Sequence, residues 1–290
     1  MTDAEFEQAI AALAPWIGRK RIVEDEIGLT AVRRIAGMLD LDPDSFKAGT
    51  TLPPHWFTMF FADIAKQSQI GPDGHAVKGL FLPPIPLPRR MGAGRRVRVD
   101  GRLRAAEPAR KIAEAIAITP KIGRSGRIAV LTMRHTIEAG GRTIAVDEFD
   151  AIYRDAVPAG QKTTATVPTP APDDHEWEDA VELSEVLVFR YSAVTWNAHR
   201  IHYDADYTRG DEGYAHTVQN GGLTMQLMVD AALKRAPGEL RAYTTRLTLP
   251  LWVGDTARFR GKRTGDGRVK VWVADKNGHL NGEMDLEFAT

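Results

Sequence analysis

The sequence predicts an α+β protein made of two related halves, each with a helix and an antiparallel sheet. Its 290 residues are enough for two domains of ordinary size. Residues 157–173 contain four prolines among threonine, alanine and glycine, and they cannot bury enough apolar surface to form structure of their own. On each side of this segment, a helical pattern precedes a run of strand candidates. We therefore expect a first domain at 1–156, an extended linker at 157–173 and a second domain at 174–290.

The first half begins with an acidic segment, residues 1–18, which predicts a short amphipathic helix and lacks the basic leader of a targeting signal. A second helix is predicted at 29–39, where Val32, Ile35 and Leu39 lie at helical spacing. A proline-rich loop at 79–94 follows, since prolines disrupt helices and central strands. Strand candidates complete this half at 95–104, 111–123, 127–141 and 142–154.

The second half begins with a run at 183–192 that is rich in valine, leucine and aromatic residues, which predicts a strand. Residues 221–235 carry leucine and methionine at helical spacing between a Gly-Gly pair and the stop signal Pro237-Gly238, which predicts a helix. Strand candidates follow at 241–253, 255–265, 268–278 and 279–288, with glycine-containing turns between the last three of them.

Composition and charge exclude several classes of protein. The 38 lysines and arginines balance 38 acidic residues, which disfavours a dedicated binder of nucleic acid or anionic membranes. The absence of cysteine excludes a disulfide scaffold, a thiolate nucleophile, Cys-ligated zinc and iron–sulfur clusters. No stretch approaches the ~20 apolar residues that span a bilayer. We expect a cytoplasmic protein without nucleic-acid or membrane partners.

Polar functional groups are densest at residues 191–207. The segment holds Tyr191, Thr195, Asn197, His199, Arg200, His202, Asp204 and Asp206. Histidine titrates near neutral pH and serves as an acid or a base, and the spacing of His199 and His202 lets them share one face of a helix or tight turn. A structural interpretation also stays open, in which Asp204 caps a short helix and the histidines lie at the surface.

This segment resembles the signature of the MaoC-like, (R)-specific enoyl-thioester hydratases, Ser/Thr-Gly-Asp-x-Asn-Pro-Ile/Leu-His. The alignment places Thr195 first, Trp196 at the glycine, Asn197 at the aspartate, His199 at the asparagine and His202 at the final histidine. The variant found here is similar to that of the two-domain hydroxyacyl-thioester dehydratases, which include mesaconyl-CoA and itaconyl-CoA hydratase-like enzymes, and the resemblance covers nearly the whole chain. It implies a double hot-dog fold, in which each half wraps an antiparallel sheet around a central helix.

The resemblance implies a hydro-lyase that adds water reversibly to an enoyl-CoA, with a short, branched or dicarboxylic acyl group. It requires no cofactor, because coenzyme A is part of the substrate. Asn197 stands where the motif has an aspartate and cannot accept a proton, so it can only orient water or substrate. His202 is then the main acid/base candidate and His199 the second. We expect the second half to carry the active site and the first half to complete a substrate tunnel. We also expect a homo-oligomer, specifically a dimer.

The start of the predicted helix at 221–235 is a candidate oxyanion site. Asn220, Gly221 and Gly222 open it, and unpaired N–H groups at a helix start stabilise the negative oxygen of a developing enolate. An isolated Gly-Gly pair more often only eases packing of helix on sheet, and it is the neighbouring motif that favours the catalytic interpretation.

Two groups of arginines are candidate substrate ligands. Arg89, Arg90, Arg95 and Arg96 belong to a basic run opposed in sequence only by Asp100, and could bind the phosphates of coenzyme A. A solvated strand edge explains the same run. Arg190 and Arg200, together with Tyr191 and Thr195, are candidates for contacting the acyl group, the arginines through a substrate carboxylate.

The other histidines show no metal-ligand spacing, so we expect no metal. Two other functions stay open. A hot-dog thioesterase would use the same helix start with a nearby carboxylate or nucleophile, and a non-catalytic acyl-thioester-binding subunit would explain the asparagine at position 197.

Overall fold

Ten antiparallel strands of this computed structural model form one continuous sheet, and the structure describes residues 1–123, 126–157, 167–236 and 238–289. The strands are β1 Lys20–Asp25, β2 Arg89–Val99, β3 Ala109–Gly123, β4 Gly126–Ala139, β5 Arg142–Arg154, β6 Trp177–Glu182, β7 Leu240–Leu247, β8 Thr256–Gly265, β9 Arg268–Ala274 and β10 Leu280–Phe288. The helices are α1 Asp3–Ala11, α2 Leu29–Met38, α3 Glu185–Val194, α4 Ala205–Gly210 and α5 Gly221–Leu233.

The strand order reveals the internal repeat. The first half reads β1-β3-β4-β5-β2 and the second, taken from the opposite edge, reads β6-β8-β9-β10-β7. The halves meet where β2 pairs with β7, from Gly94 opposite Arg246 to Arg98 opposite Ala242. The main apolar core also contains residues of both halves, Val97 and Tyr243 among them. The predicted relationship of the two halves is therefore present, but they share a sheet and a core.

The strand predicted at 183–192 is wrong, because this segment forms α3. Ser184 caps the helix by accepting a hydrogen bond from the Leu187 N–H at 3.2 Å. Val188 and Tyr191 are buried at helical spacing, whereas Phe189 is exposed on the other face. Apolar residues on both faces obscured this period in the sequence.

The two halves differ in their helices. By position, α2 corresponds to α3, since each follows the short edge strand of its half and the two helices pack together. The long helix that packs on β7, β8 and β9 is α5. In residues 39–88 of the first half, all of which are described, only 3₁₀ turns precede β2. This stretch is therefore free to form the loops that reach the second half.

Part of the predicted linker, residues 158–166, lies outside the described residues, as does Pro237. The described part lies along the second half, where the Ala171 N–H donates to the Gly278 carbonyl and the Trp272 Nε1–H donates to the Pro172 carbonyl. The domain boundaries themselves stay a prediction. Among the described residues, no helix has the length and apolarity needed to cross a membrane.

Candidate active site

The polar segment predicted from sequence forms a compact connection between α3 and α4. Thr195 ends α3, and its hydroxyl donates to the Tyr191 carbonyl at 2.7 Å. Trp196 then adopts a left-handed φ of 55°, the backbone region that glycine occupies most easily. The Asn197 Oδ1 accepts the His199 backbone N–H at 3.0 Å. These local bonds direct the chain into the 3₁₀ turn that carries His202.

The structural interpretation of this segment is confirmed for Asp204 and wrong for the two histidines. Asp204 caps α4 by accepting the Tyr207 N–H at 2.9 Å. The histidines, however, are not at the surface, because His199 is 6% and His202 9% exposed. Their rings meet edge to face, with centroids 5.5 Å apart.

A loop of the first half contacts this segment, and no pattern in the sequence predicts the contact. The Arg200 N–H donates to the Asp73 carbonyl at 2.9 Å. Gly74 has a φ of +90°, and a Cβ there would lie 1.9 Å from the Ala198 carbonyl oxygen, so only glycine fits. The loop thereby brings the His75 ring to 4.2 Å from that of His199, measured between centroids.

His75 is held by its neighbour Asp73. The Asp73 Oδ2 lies 3.0 Å from the His75 Nδ1, and the Asp73 Oδ1 accepts the His75 backbone N–H at 3.0 Å. We assign the ring proton to Nδ1, since an ionised carboxylate can only accept. The Nε2 of His75 then carries the lone pair of the ring and is its acceptor.

Burial controls the charge state of the cluster. It lowers the pKa of His199 to about 2, helped by the neighbouring histidines, and that of His202 to about 4. Burial also lowers the pKa of His75, and the hydrogen bond to Asp73 partly opposes it. Burial would raise the pKa of Asp73, but its contacts with His75 outweigh this and hold it at about 2. At neutral pH the cluster is therefore neutral imidazoles beside one carboxylate.

The tautomer of His202 follows from its own contact. Its Nδ1 lies 2.6 Å from the Val218 carbonyl oxygen, which can only accept, so Nδ1 carries the proton. The Nε2 of His202 is then an acceptor, as a base requires.

A cavity of about 370 Å³ lies between the halves at this point. Its lining includes Thr58, Asp63, Ile70, Gly74, His75, Lys78, Phe81, Arg90, Tyr191, Thr195, Trp196, Asn197, Asn220, Gly221 and Gly222. The structure thus brings together most of the predicted second-half residues. His199 and His202 lie behind His75 and do not line the cavity.

The start of α5 faces this cavity with an uncapped first turn. The Asn220 Nδ2 donates to the Ser192 hydroxyl at 3.2 Å, and no side chain caps the helix among the described residues. The N–H groups of Gly221 and Gly222 are therefore available to a ligand. A Cβ on Gly222 would lie 2.4 Å from the Tyr191 hydroxyl oxygen, so this glycine lets the hydroxyl approach the helix start. Burial raises the pKa of Tyr191 to about 12, which keeps it a hydrogen-bond donor.

Three of the arginines proposed for coenzyme A phosphates are paired with carboxylates instead, which corrects that prediction. The pairs are Arg89 with Glu212 at 2.8 Å, Arg95 with Asp147 at 3.1 Å, and Arg96 with Asp150 at 2.7 Å and Glu148 at 3.3 Å. The last three acids lie on β5, the neighbour of β2, so Arg95 and Arg96 are neutralised across the sheet. Arg90 differs, because it lines the cavity and no described carboxylate forms an ion pair with it.

Arg190 and Arg200 are also not at the cavity, which corrects their assignment to a substrate carboxylate. Arg200 pairs with Asp204 at 2.7 Å and donates to the Pro72 carbonyl at 3.0 Å. It therefore fastens the first-half loop to the active segment. Arg190 is exposed on α3, with a terminal nitrogen 3.6 Å from the position of a Cβ on Gly37.

Among the described residues, Asp73, His75 and His199 form a group that could hold a metal. Donor atoms of Asp73, His75 and His199 lie within 4.8 Å of one another. One of the two Asp73 carboxylate oxygens, Oδ2, is already hydrogen-bonded to the His75 ring. We therefore describe the group as a hydrogen-bonded cluster, and the absence of a metal stays a prediction.

Comparison with known proteins places the chain in a family. Residues 55–253 match the family described as hydroxyacyl-thioester dehydratase type 2. A mesaconyl-C(4)-CoA hydratase from Chloroflexus aurantiacus is 38% identical over 249 residues, covering 84% of this chain and 86% of that protein.

Solved structures support the fold. A MaoC-like dehydratase from Phytophthora capsici has a TM-score of 0.72 at 12% identity and covers 97% of this chain and 98% of its own. A Mycobacterium tuberculosis protein described as a double hot-dog has a TM-score of 0.56 at 13% identity and covers 94% of this chain and 96% of its own. The predicted fold class, MaoC-like relationship and hydro-lyase class are confirmed. The chain belongs to the family of hydroxyacyl-thioester dehydratases type 2.

Proposed function

We propose that the protein hydrates a short enoyl-CoA whose acyl group carries a free carboxylate, and dehydrates the corresponding hydroxyacyl-CoA. The observation that carries this substrate class is that an oxyanion site and an arginine without a carboxylate partner face the same cavity of about 370 Å³. A thioester carbonyl and a remote carboxylate can then be bound at once.

The thioester end of the substrate fits the start of α5. When water adds to the β-carbon, negative charge develops on the thioester oxygen. The free N–H groups of Gly221 and Gly222 lie at the positive end of the helix dipole and can donate to that oxygen. The Tyr191 hydroxyl, which lines the same cavity, is a further donor. The Nδ2 of Asn197 remains to orient water or substrate, since its Oδ1 is occupied by His199.

The carboxylate end fits Arg90. A guanidinium pairs with a carboxylate through two parallel hydrogen bonds. Lys78 adds positive charge to the same wall, with its ammonium fixed by the carbonyls of Ile85 and Leu87 at 2.8 and 2.9 Å. Asp63 lines the cavity too, but it pairs with Arg21 at 2.6 Å. Positive charge therefore predominates.

The name of one relative supports the same choice of substrate. The Chloroflexus relative is named for the hydration of mesaconyl-C(4)-CoA, a thioester that keeps a second carboxylate. We extend that class of substrate to this protein, with coenzyme A rather than a carrier protein as the thiol.

A panel of enoyl-CoA esters tests the proposal. Purified protein is given mesaconyl-C(4)-CoA, itaconyl-CoA and crotonyl-CoA, and the loss of enoyl absorbance is followed with mass detection of the hydrated product. We expect the carboxylated esters to be preferred, and the Arg90→Met variant to lose about 10- to 100-fold in kcat/KM for them, because a hydrogen bond to a charged group is removed. The crotonyl ester, which has no second carboxylate, should be affected far less.

The matched control is Arg96→Met, on the same strand but paired with Glu148 and Asp150, which should leave kcat/KM unchanged. A preference for crotonyl-CoA that Arg90→Met does not alter would refute the carboxylate assignment. Release of free coenzyme A would favour the thioesterase, and tight binding without turnover would favour the binding subunit.

A further inference from the structure

We infer that His75, oriented by Asp73, is a proton-transfer residue of this active site, contributed by the first half of the chain. The inference rests on the proposed hydratase function and names a catalytic group that the signature in the second half does not contain.

The site needs such a group. Asn197 stands where the resembled motif has an aspartate, and an amide cannot take up a proton. Its Oδ1 is in any case engaged by the His199 N–H at 3.0 Å. Among the described residues that line the cavity, His75 is the one imidazole.

Asp73 and His75 have the geometry of an oriented base. The Nδ1–H of the ring donates to the carboxylate at 3.0 Å, which leaves Nε2 as the lone pair. A carboxylate on the far side of an imidazole fixes its tautomer and stabilises the imidazolium that forms when the ring takes a proton. His202 has the Val218 carbonyl in that position instead, at 2.6 Å, and a neutral dipole stabilises an imidazolium less.

The chemical step balances with His75 alone. In the hydration direction, an O–H bond of water breaks, the oxygen forms a bond to the β-carbon, and the proton goes to the His75 Nε2. The electron pair of the double bond moves toward the α-carbon and the thioester oxygen, where the amides of Gly221 and Gly222 stabilise it. His75 then gives the proton to the α-carbon. One water has been added, and the imidazole is neutral again.

The loop that carries the pair is held rigidly, as a catalytic group requires. Two hydrogen bonds from Arg200, its N–H to the Asp73 carbonyl and its guanidinium to the Pro72 carbonyl, fasten it at 2.9 and 3.0 Å. The close approach of Gly74 to Ala198 adds a contact that any side chain would prevent.

Several titratable and charged groups around His75 also act on it. They are Asp73 in its own loop, His199 before the 3₁₀ turn, His202 within that turn, Arg90 on β2 and Glu212 after α4. Asp73 is the one in direct hydrogen bond with the ring, so its removal should change the titration of His75 most.

The test measures the kinetics of His75→Gln and His75→Ala on the preferred thioester, with circular dichroism to verify folding. We expect kcat of both His75 variants to fall by about 10²- to 10⁴-fold, the usual contribution of general acid–base catalysis, with little change in KM. Added imidazole should restore part of the activity of His75→Ala. The matched control is His216→Gln, an exposed histidine outside the cavity lining, which should keep full kcat.

The Asp73→Asn variant tests whether Asp73 orients the His75 ring for proton transfer or only stabilises the fold. We expect a lower kcat, and the acid limb of the kcat/KM profile should move to lower pH, because the imidazolium loses its carboxylate. A merely structural aspartate would change stability without moving that limb.

Three results would overturn the inference. The first is full kcat in a folded His75→Gln variant of an active protein. The second is a folded His75→Ala variant that imidazole does not rescue, together with an acid limb that does not move in Asp73→Asn. The third is a loss of wild-type activity on chelation that zinc restores. A wild type inactive on every thioester would instead refute the proposed function.

Discussion

The hydroxyl oxygen of Tyr191 lies where a side chain on Gly222 would begin, 2.4 Å from the position of a Cβ. Tyr191 lines the cavity and Gly222 is the second residue of α5, so this contact sets the distance between the hydroxyl and the helix amides. We predict that Gly222→Ala displaces the hydroxyl and lowers kcat/KM at least tenfold. Overpacking of this kind costs about 1–3 kcal/mol of unfolding free energy. Steady-state kinetics and urea denaturation measure the two effects.

The double variant Tyr191→Phe/Gly222→Ala is the control for this contact. Removing the hydroxyl leaves the ring Cζ as the next atom, at 3.3 Å, so most of the clash is relieved. Stability should recover toward the wild-type value, because two residues in contact are not additive. Equal destabilisation of the single and double variants would contradict the steric explanation.

Asn197 is predicted to act through both ends of its amide. Its Oδ1 accepts the His199 N–H at 3.0 Å, and the residue lines the cavity, so its Nδ2 is the end that can donate to a ligand. Asn197→Asp keeps the oxygen and loses the donor, so we expect near-normal stability with a lower kcat. Asn197→Ala loses both, and should cost about 1 kcal/mol of stability in addition, as a lost local side-chain bond does. A more active Asn197→Asp would mean that the site lacks a carboxylate, which contradicts the role of Asp73.

Trp196 has an unfavourable, left-handed backbone conformation and lines the cavity. Its φ is 55° and its side chain is 68% exposed, so folding recovers little from burying the ring. Trp196→Gly should raise the unfolding free energy by several tenths to about 1 kcal/mol, since glycine adopts this region without strain. The KM for the thioester should rise, because the ring lines the cavity. Trp196→Ala is the control, because it removes the ring but keeps the strained Cβ, and it should raise KM without the gain in stability.

The sequence predicts those parts of the site whose residues are consecutive in the chain. The segment from Thr195 to His202 and the Gly-Gly start of α5 could be recognised because each occupies a few consecutive residues. The same left-handed φ that strains Trp196 explains why the resembled motif has glycine there.

What could not be predicted depends on contacts between distant segments. Asp73 and His75 reach the site on a loop of the first half. This loop is held by a hydrogen bond from the Arg200 guanidinium to the Pro72 carbonyl, two residues that lie 128 positions apart in the sequence. The local sequence pattern is Asp-Gly-His, in which the aspartate accepts the backbone N–H of the residue two positions later. Many turns share this pattern, so it does not indicate a catalytic site. The ion pairs of Arg89, Arg95 and Arg96 could not be predicted for the same reason, because Glu212 follows α4 and the acids that pair with Arg95 and Arg96 lie on β5.

Arg89 provides a direct check on that correction. It is buried with Glu212, at 2.8 Å between Nε and Oε2, so Arg89→Met should leave a buried carboxylate unpaired and cost about 3–5 kcal/mol. Arg89→Met/Glu212→Gln should recover part of this loss. Arg96→Met, at an exposed pair, should cost less than about 1 kcal/mol. Urea denaturation measures all three, and weaker coenzyme A binding with unchanged stability in Arg89→Met would restore the phosphate role.

The buried histidines predict how stability depends on pH. The pKa of His202 is about 4 in the folded protein and about 6.5 when exposed, so the unfolded chain binds a proton first as pH falls. The stability is therefore complete above about pH 6.5 and declines toward pH 4, by about 3 kcal/mol from His202 alone. His75 and His199 act in the same direction, whereas the stabilisation from Asp73 is lost only between pH 3.8 and about 2. Urea denaturation at pH 7, 6 and 5 should show a shallower decline of the unfolding free energy for His202→Gln than for the wild type. An identical decline in His202→Gln and wild type would mean that this ring already titrates normally in the folded protein.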